Sequence, residues 1–297
     1  GQFHPDIFGD WVVWEDNRNL QVDLYGYDLL RGGEVRLTDT AFDEVAPRLN
    51  GPWAVYAEDS AGETRNNLRV LSLWNRASVQ LTNAASDKAT PVMASGWLAW
   101  ADDRTGLWQV MAARVPDLQP VFDNRNLVAV TGDMADRQGT AFALLERWHE
   151  EAGVTEITRY VSLLPEPVAE TATWQGSGPV GVNFGLEPGS FLWVGFDSTR
   201  ILDLGMGGCG TVDLARGVNV VGYTCFPDGY SAYRLIRDLG TASVSAVRVL
   251  DAGTGRWRVA LVRSGEILGE DFPIPRVAVV MLDLGQPVSA WQPGGTP

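Results

Sequence analysis

The segment Asp6-Ile-Phe-Gly-Asp-Trp-Val-Val-Trp-Glu-Asp-Asn-Arg-Asn19, which opens behind Pro5, returns twice more in this 297-residue chain. The second copy is Pro47-Arg-Leu-Asn-Gly-Pro-Trp-Ala-Val-Tyr-Ala-Glu-Asp59, and the third is Pro91-Val-Met-Ala-Ser-Gly-Trp-Leu-Ala-Trp-Ala-Asp-Asp-Arg104. The lead prolines stand 42 and then 44 residues apart. Within the first copy, Ile7–Phe8 reads as a short strand, Gly9-Asp10 as a turn, and Trp11–Glu15 as a second strand with aromatics at Trp11 and Trp14. A polar loop, Asp16–Gln21, leads to Asp23–Leu29. There Leu24, Gly26 and Asp28 alternate with Tyr25, Tyr27 and Leu29 at the period of a strand. Arg31-Gly-Gly33 supplies a hairpin turn, and Glu34–Thr38 an outer strand. The second copy continues with Leu68–Leu73 and Ser78–Thr82. The third continues with Trp108–Ala113, and no matching fourth strand follows it.

Four strands in about 43 residues, repeated, predict propeller-type blades. Over about residues 5–114 the chain resembles TolB-like β-propeller repeats. The likeness rests on the Pro-x-aliphatic-x-Gly lead, the aromatic-Val-Val-Trp strand, the acidic-Asp-x-Arg loop and the Arg-Leu-Thr close. It implies a bacterial or archaeal secreted or surface protein, and a fold used alike as binding platform, spacer and enzyme scaffold. The expected blades are 5–46, 47–90 and 91–117, in a first region of residues 1–117. Closed propellers have roughly four to eight blades. Three leave the ring unclosed by this chain alone, with strand edges that recruit partners.

The pattern changes near Pro116–Asn124. Asn126–Val130 reads as a buried strand, and Thr140 caps a helix over Ala141–Ala152 that Gly153 ends. Strands follow at Glu156–Ser162, Ala172–Gln175, Leu186–Val194 and Arg200–Leu204. The order then repeats: strand Asn219–Tyr223, helix Tyr230–Leu239 ended by Gly240, strands Ser245–Leu250 and Trp257–Leu261, then Pro275–Leu282 and Pro287–Trp291. Gly153 to Gly240 and Pro188 to Pro275 are both 87 residues. The expected fold class is therefore mainly β. Three four-stranded blade repeats precede two related small β-rich (α+β) modules, 118–212 with helix 140–152 and 213–297 with helix 230–239. The order Asn-Leu-Val-x-Val, helix, Leu-Glu-Pro-Gly-x-x-x-Trp-Val is similar to modules near the C-termini of large bacterial surface proteins.

A hydrophobic fraction of 45% with 20% charged residues is the balance of a globular chain and argues against disorder. The net charge of −14 disfavours nucleic acid as a partner. Lys88 is the only lysine among 23 basic residues. The longest apolar run, Val277–Leu282, is far short of the ~20 residues of a membrane-spanning helix. Gly1 opens strand-like sequence, as in a processed secreted protein whose signal peptide has been removed, and Gln292–Pro297 reads as linker. Cys209 and Cys225 are read as a disulfide closing a loop of about 17 residues, with buried free thiols as the alternative; no C-x-x-C occurs.

Two histidines limit the chemistry. His149, in Trp148-His-Glu-Glu-Ala152, lacks the second histidine of a zinc helix and reads as an exposed helix residue; His4 reads as terminal. No Gly-x-Ser-x-Gly elbow occurs, and Gly205-Met-Gly-Gly-Cys-Gly210 has no lysine, so it reads as a turn. Neither catalytic residues nor a cofactor site is expected. The acidic turns Glu15-Asp16, Glu58-Asp59 and Asp102-Asp103 recur, with Asp16, Asp59 and Asp103 as calcium candidates. The plainer reading is loop capping and pairing with Arg18, Arg65 and Arg104; a device present in every repeat is structural. Trp11, Trp14, Trp53, Trp97 and Trp100 read as packing between sheets. Trp174, Trp193, Trp257 and Trp291 are candidates for stacking on sugar rings or burying in a partner. The expected function is a non-enzymatic extracellular structural or adhesive protein. It would join itself or other surface proteins in a cell-surface or filamentous assembly through strand edges or terminal segments. The alternatives are a glycan- or peptide-binding propeller and a carbohydrate-active enzyme using a carboxylate pair.

Overall fold

Alternating residues from Trp11 to Asp16, and their counterparts in the next two repeats, form the second strand of three antiparallel meanders. The computed structural model describes residues 1–59, 66–162 and 167–294, in two units, Gly1–Val115 and Pro116–Pro297. Blade 1 is β1 (Gln2–Phe8), β2 (Trp11–Asp16), β3 (Asp23–Asp28) and β4 (Glu34–Arg36) in that order. Blade 2 is β5 (Asp43–Asn50), β6 (Trp53–Asp59), β7 (Asn66–Ser72) and β8 (Ser78–Gln80). Blade 3 has three strands, β9 (Lys88–Ala94), β10 (Trp97–Asp102) and β11 (Gln109–Arg114). The repeats are propeller-type blades in an open set, as expected. Arg65 of the expected arginine pairs lies outside the described residues.

The lead prolines mark bulges rather than plain strand starts. His4, Ala46 and Thr90, each just before Pro5, Pro47 or Pro91, have φ of 45°, 55° and 48°. The ladder slips at the same place in each first strand. A residue without an N–H fits where the ladder is already interrupted.

The blades stack face to face. β5 packs on β1, β2 and β3, and β9 packs on β5, β6 and β7. Between blades 1 and 2, Val13, Leu24 and Leu37 meet Ala54, Tyr56 and Leu71 in one core, with Trp11 and Leu49 at its margin. Two carboxylates seal that contact: Glu15 accepts from the Ala46 N–H (2.6 Å) and Asp6 from the Leu49 N–H (2.8 Å).

The second unit holds two copies of one module. In the first, β12 (Leu118–Val121) pairs with β18 (Arg200–Asp203). β13 (Arg125–Ala129), β17 (Phe191–Gly195), β14 (Glu156–Ser162), β15 (Val168–Gln175) and β16 (Gly178–Gly181) form a sheet in that order. In the second, β19 (Val212–Leu214) pairs with β25 (Val288–Trp291), and the sheet runs β20 (Gly217–Tyr223), β24 (Ala278–Leu284), β21 (Val244–Asp251), β22 (Arg256–Arg263), β23 (Glu266–Gly269). Helix α2 (Ala141–Ala152) packs on β15, and α3 (Ala232–Leu239) on β21. Thr140 caps α2 by accepting from the Ala143 N–H, Ser231 caps α3 through the Arg234 N–H, and Gly153 ends α2 in the left-handed region. Asn126 and Asn219 brace the entry to β13 and β20 through the same side-chain bonds to the backbone four residues earlier.

Four local expectations are corrected. The first module carries an extra helix, α1 (Gly132–Gln138), capped by Thr131; at seven residues it is too short for a clear periodicity. α3 starts at Ala232 rather than Tyr230, because Ser231 is its cap. Leu186–Ser190 and Pro275–Val277 are lead-ins rather than strand, since Pro188 and Pro275 lack an N–H for the ladder. β16 and β23 add a fifth strand to each sheet.

Candidate functional site

The acidic positions of the blades carry clusters of side-chain hydrogen bonds in the first unit. The ladder aligns them one residue away from the sequence pairing. Trp11, Trp53 and Trp97 each begin a second strand, so Asp16, Glu58 and Asp102 share one position, and Asp59 and Asp103 fall outside it. At that position blades 1 and 3 build the same clamp. Arg104 donates to Asp102 from Nε (3.0 Å), Nη2 (2.6 Å) and its backbone N–H (2.9 Å), while the Trp100 indole donates at 3.0 Å. Arg18 donates to Asp16 from Nε (2.9 Å), Nη2 and its backbone N–H (2.9 Å), with the Trp14 indole at 3.4 Å. In blade 2, Glu58 accepts from Arg69 Nη1 at 3.3 Å. The guanidinium beside each aspartate holds the Asp16 and Asp102 carboxyls well below the usual carboxylate range.

One strand away, opposite those carboxylates, stand Gln2, Glu44 and Lys88. Glu44 is fully buried and accepts from the Thr38 hydroxyl (2.7 Å) and the Thr40 hydroxyl. Burial pushes its carboxyl up, against those two bonds. Lys88 is also fully buried, its ammonium donating to the carbonyls of Ala84 (2.6 Å), Ser86 (2.7 Å) and Asn66 (3.4 Å). Burial pushes it down. The same column thus takes an amide, an acid or a base, each satisfied locally.

The sequence candidates are not brought together. Asp16 is buried in its clamp, Asp59 is exposed beside the undescribed 60–65 segment, and Asp103 accepts from the Asp87 N–H at 2.8 Å. Among the described residues no three His, Cys, Asp or Glu groups converge as a metal site would require. Trp291 is buried with Tyr223 and Phe226 and so is not a contact surface. Trp174 is half-buried and stacked on His149 at 4.0 Å. That corrects the exposed reading of His149, whose Nδ1 also lies 3.0 Å from the Val154 carbonyl at the end of α2. Trp193 is half-buried under Arg125, and only Trp257 of the four is exposed. His4 lies in β1 beside Glu15, at 2.9 Å. Cys209 and Cys225 form the disulfide.

Among the blade tryptophans, Trp53 and Trp100 are buried between sheets, but Trp97 is 49% exposed. It stands on the face of blade 3 turned away from blade 2. Sequence reasoning missed this surface because the strand pattern of blade 3 is that of a covered blade.

No protein-family model matches the chain, and no curated protein matches it. Among solved structures it is similar to a putative TolB from Agrobacterium tumefaciens (11% identity, TM-score 0.33), covering 66% of this chain and 58% of that one. It is similar to TolB from Acinetobacter baumannii (12%, TM-score 0.32), covering 98% and 57%. A third is the β-propeller domain of a trilobed protease from Pyrococcus furiosus with an open velcro topology (9%, TM-score 0.28), covering 99% and 96%. The chain therefore spans less than two thirds of the length of either TolB structure.

Proposed function

We propose that this chain is a non-enzymatic structural or adhesive subunit of an extracellular assembly, with open propeller-type blades followed by two duplicated modules. The observation that carries this reading is the fate of the carboxylates. Asp16 and Asp102, the acidic groups that recur, are consumed by an arginine and a tryptophan of their own blade. A group held in the same clamp in two blades serves the blade. The disulfide Cys209–Cys225 fits an oxidising compartment, and among the described residues no helix is long and apolar enough to cross a membrane. Lys88, the one lysine of this sequence, is buried, so carboxylate-directed labelling or protease shaving of intact producing cells is the suitable test. The protein is expected to be reached before lysis. Protection until the cells are broken would sink the extracellular placement.

A further inference from the structure

Each blade offers two faces, and the chain shows how they fit. The face of blade 1 with Val13 and Leu24 receives the face of blade 2 with Ala54 and Tyr56. By the alternation of β6, the opposite face of blade 2, with Val55 and Leu68, is covered by β9 and its blade, whose Leu98 and Trp100 are buried. One kind of face therefore meets the other kind twice.

The ends of the stack are the unmated halves of that same contact. On blade 3, Val110 holds the place of Leu24 and Leu68 in the ladder. Those two are fully buried; Val110 is 84% exposed, and Val92 on the same face is 51% exposed. On blade 1, Tyr27 holds the place of Leu71, and Ile7 that of Leu49. Leu71 is buried, whereas Tyr27 and Ile7 are exposed. Side-chain size changes in opposite senses at the two ends. Blade 3 carries Ala99 and Val110 where the inner contacts use valine and leucine. Blade 1 carries Val12 and Tyr27 where blade 2 has Ala54 and Leu71. A trimmed face and an enlarged one match each other in volume.

We propose that the free face of blade 3 seats on the free face of blade 1 of a second copy of this chain, head to tail. This rests on the assembly reading above and names its partner and surface. Such a contact is heterologous, and it closes a ring when the rotation allows. Two copies bring six blades, inside the roughly four-to-eight range of closed propellers.

Light scattering across a concentration series, on the wild-type protein and on Val110→Asp and Ile7→Asp, tests this. Both sites are exposed in the single chain, so each variant should fold. The wild type is expected to form a dimer. Each variant alone should weaken association by on the order of 100-fold or more, because a charge would be buried without a partner. An equimolar mixture should regain association, since each variant retains the face the other has lost. A wild-type monomer at every concentration overturns the proposal, and so does a mixture that stays monomeric. A dimer unaffected by both variants also overturns it, while leaving assembly through another surface in place. Surface labelling of cells tests the extracellular reading independently of all three.

Discussion

Asp102 accepts four hydrogen bonds with its carboxylate fully buried, whereas the Arg104 side chain that makes two of them is 40% exposed. The clamp therefore acts as a satisfied buried acceptor more than as a surface ion pair, whose worth water would screen. Asp102→Asn should cost roughly 2 kcal/mol, read from the denaturant midpoint, because an amide N–H would then face the guanidinium. The pH dependence follows in sign. Asp16 and Asp102 titrate lower in the folded protein than in the unfolded chain. Their contribution is whole above the ordinary aspartate value of about 3.9 and is lost as pH falls toward the folded values. Glu44 is shifted the other way, so its contribution is greatest when protonated and fades as pH rises from about 4.3 toward its raised folded value. Asp16→Asn and Asp102→Asn should flatten the acid limb of a stability–pH curve, and an unchanged limb would contradict the clamp.

At the scale of elements, the duplicated modules carry matched devices. Gly181 and Gly269 end β16 and β23 at φ of 99° and 96°, and a Cβ on either would lie 2.4 or 2.6 Å from the carbonyl oxygen of Thr171 or Val259. Gly269→Ala should thus cost more than the roughly 1 kcal/mol of a strained backbone alone, whereas Gly255→Ala, at φ 67° with open space around it, should cost about that amount. Thermal unfolding of the two variants compares them directly. The disulfide ties Cys209, in the segment between β18 and β19, to Cys225, just after β20, across a sequence separation of 16. Replacing both cysteines with serine should lower stability by about 3 kcal/mol. A null result by chemical denaturation would mean that the Gly205–Gly210 segment is held by its other bonds, such as Gly207 N–H to Asp117 at 2.8 Å.

For the whole molecule, the net charge of −14 opposes any contact between copies. The proposed blade contact is apolar, so salt should strengthen it. Raising ionic strength from about 0.01 M to about 0.15 M shortens the screening length from about 30 Å to about 8 Å. The dimer fraction should rise over that range in sedimentation experiments. A fall would point to ion pairs across the interface. The three-blade count is visible in the repeats; which faces are free appears only once the blades are stacked.

Much of this protein was legible in its residues alone. The 42- and 44-residue spacing of the lead prolines, the alternation of the strands and the 87-residue echo from Gly153 to Gly240 reveal blades and a duplicated module, because periodicity and turn chemistry are local properties of a chain. The proline bulges and the stacking of His149 on Trp174 were not legible. Each depends on which strand lies opposite which. Val110 shows the limit most plainly: by type and position it is a core residue like Leu24 and Leu68, and only the stack leaves it uncovered. Burial is a property of neighbours distant in sequence, so the sequence determined the parts and the tertiary structure alone decided which of their faces remain open.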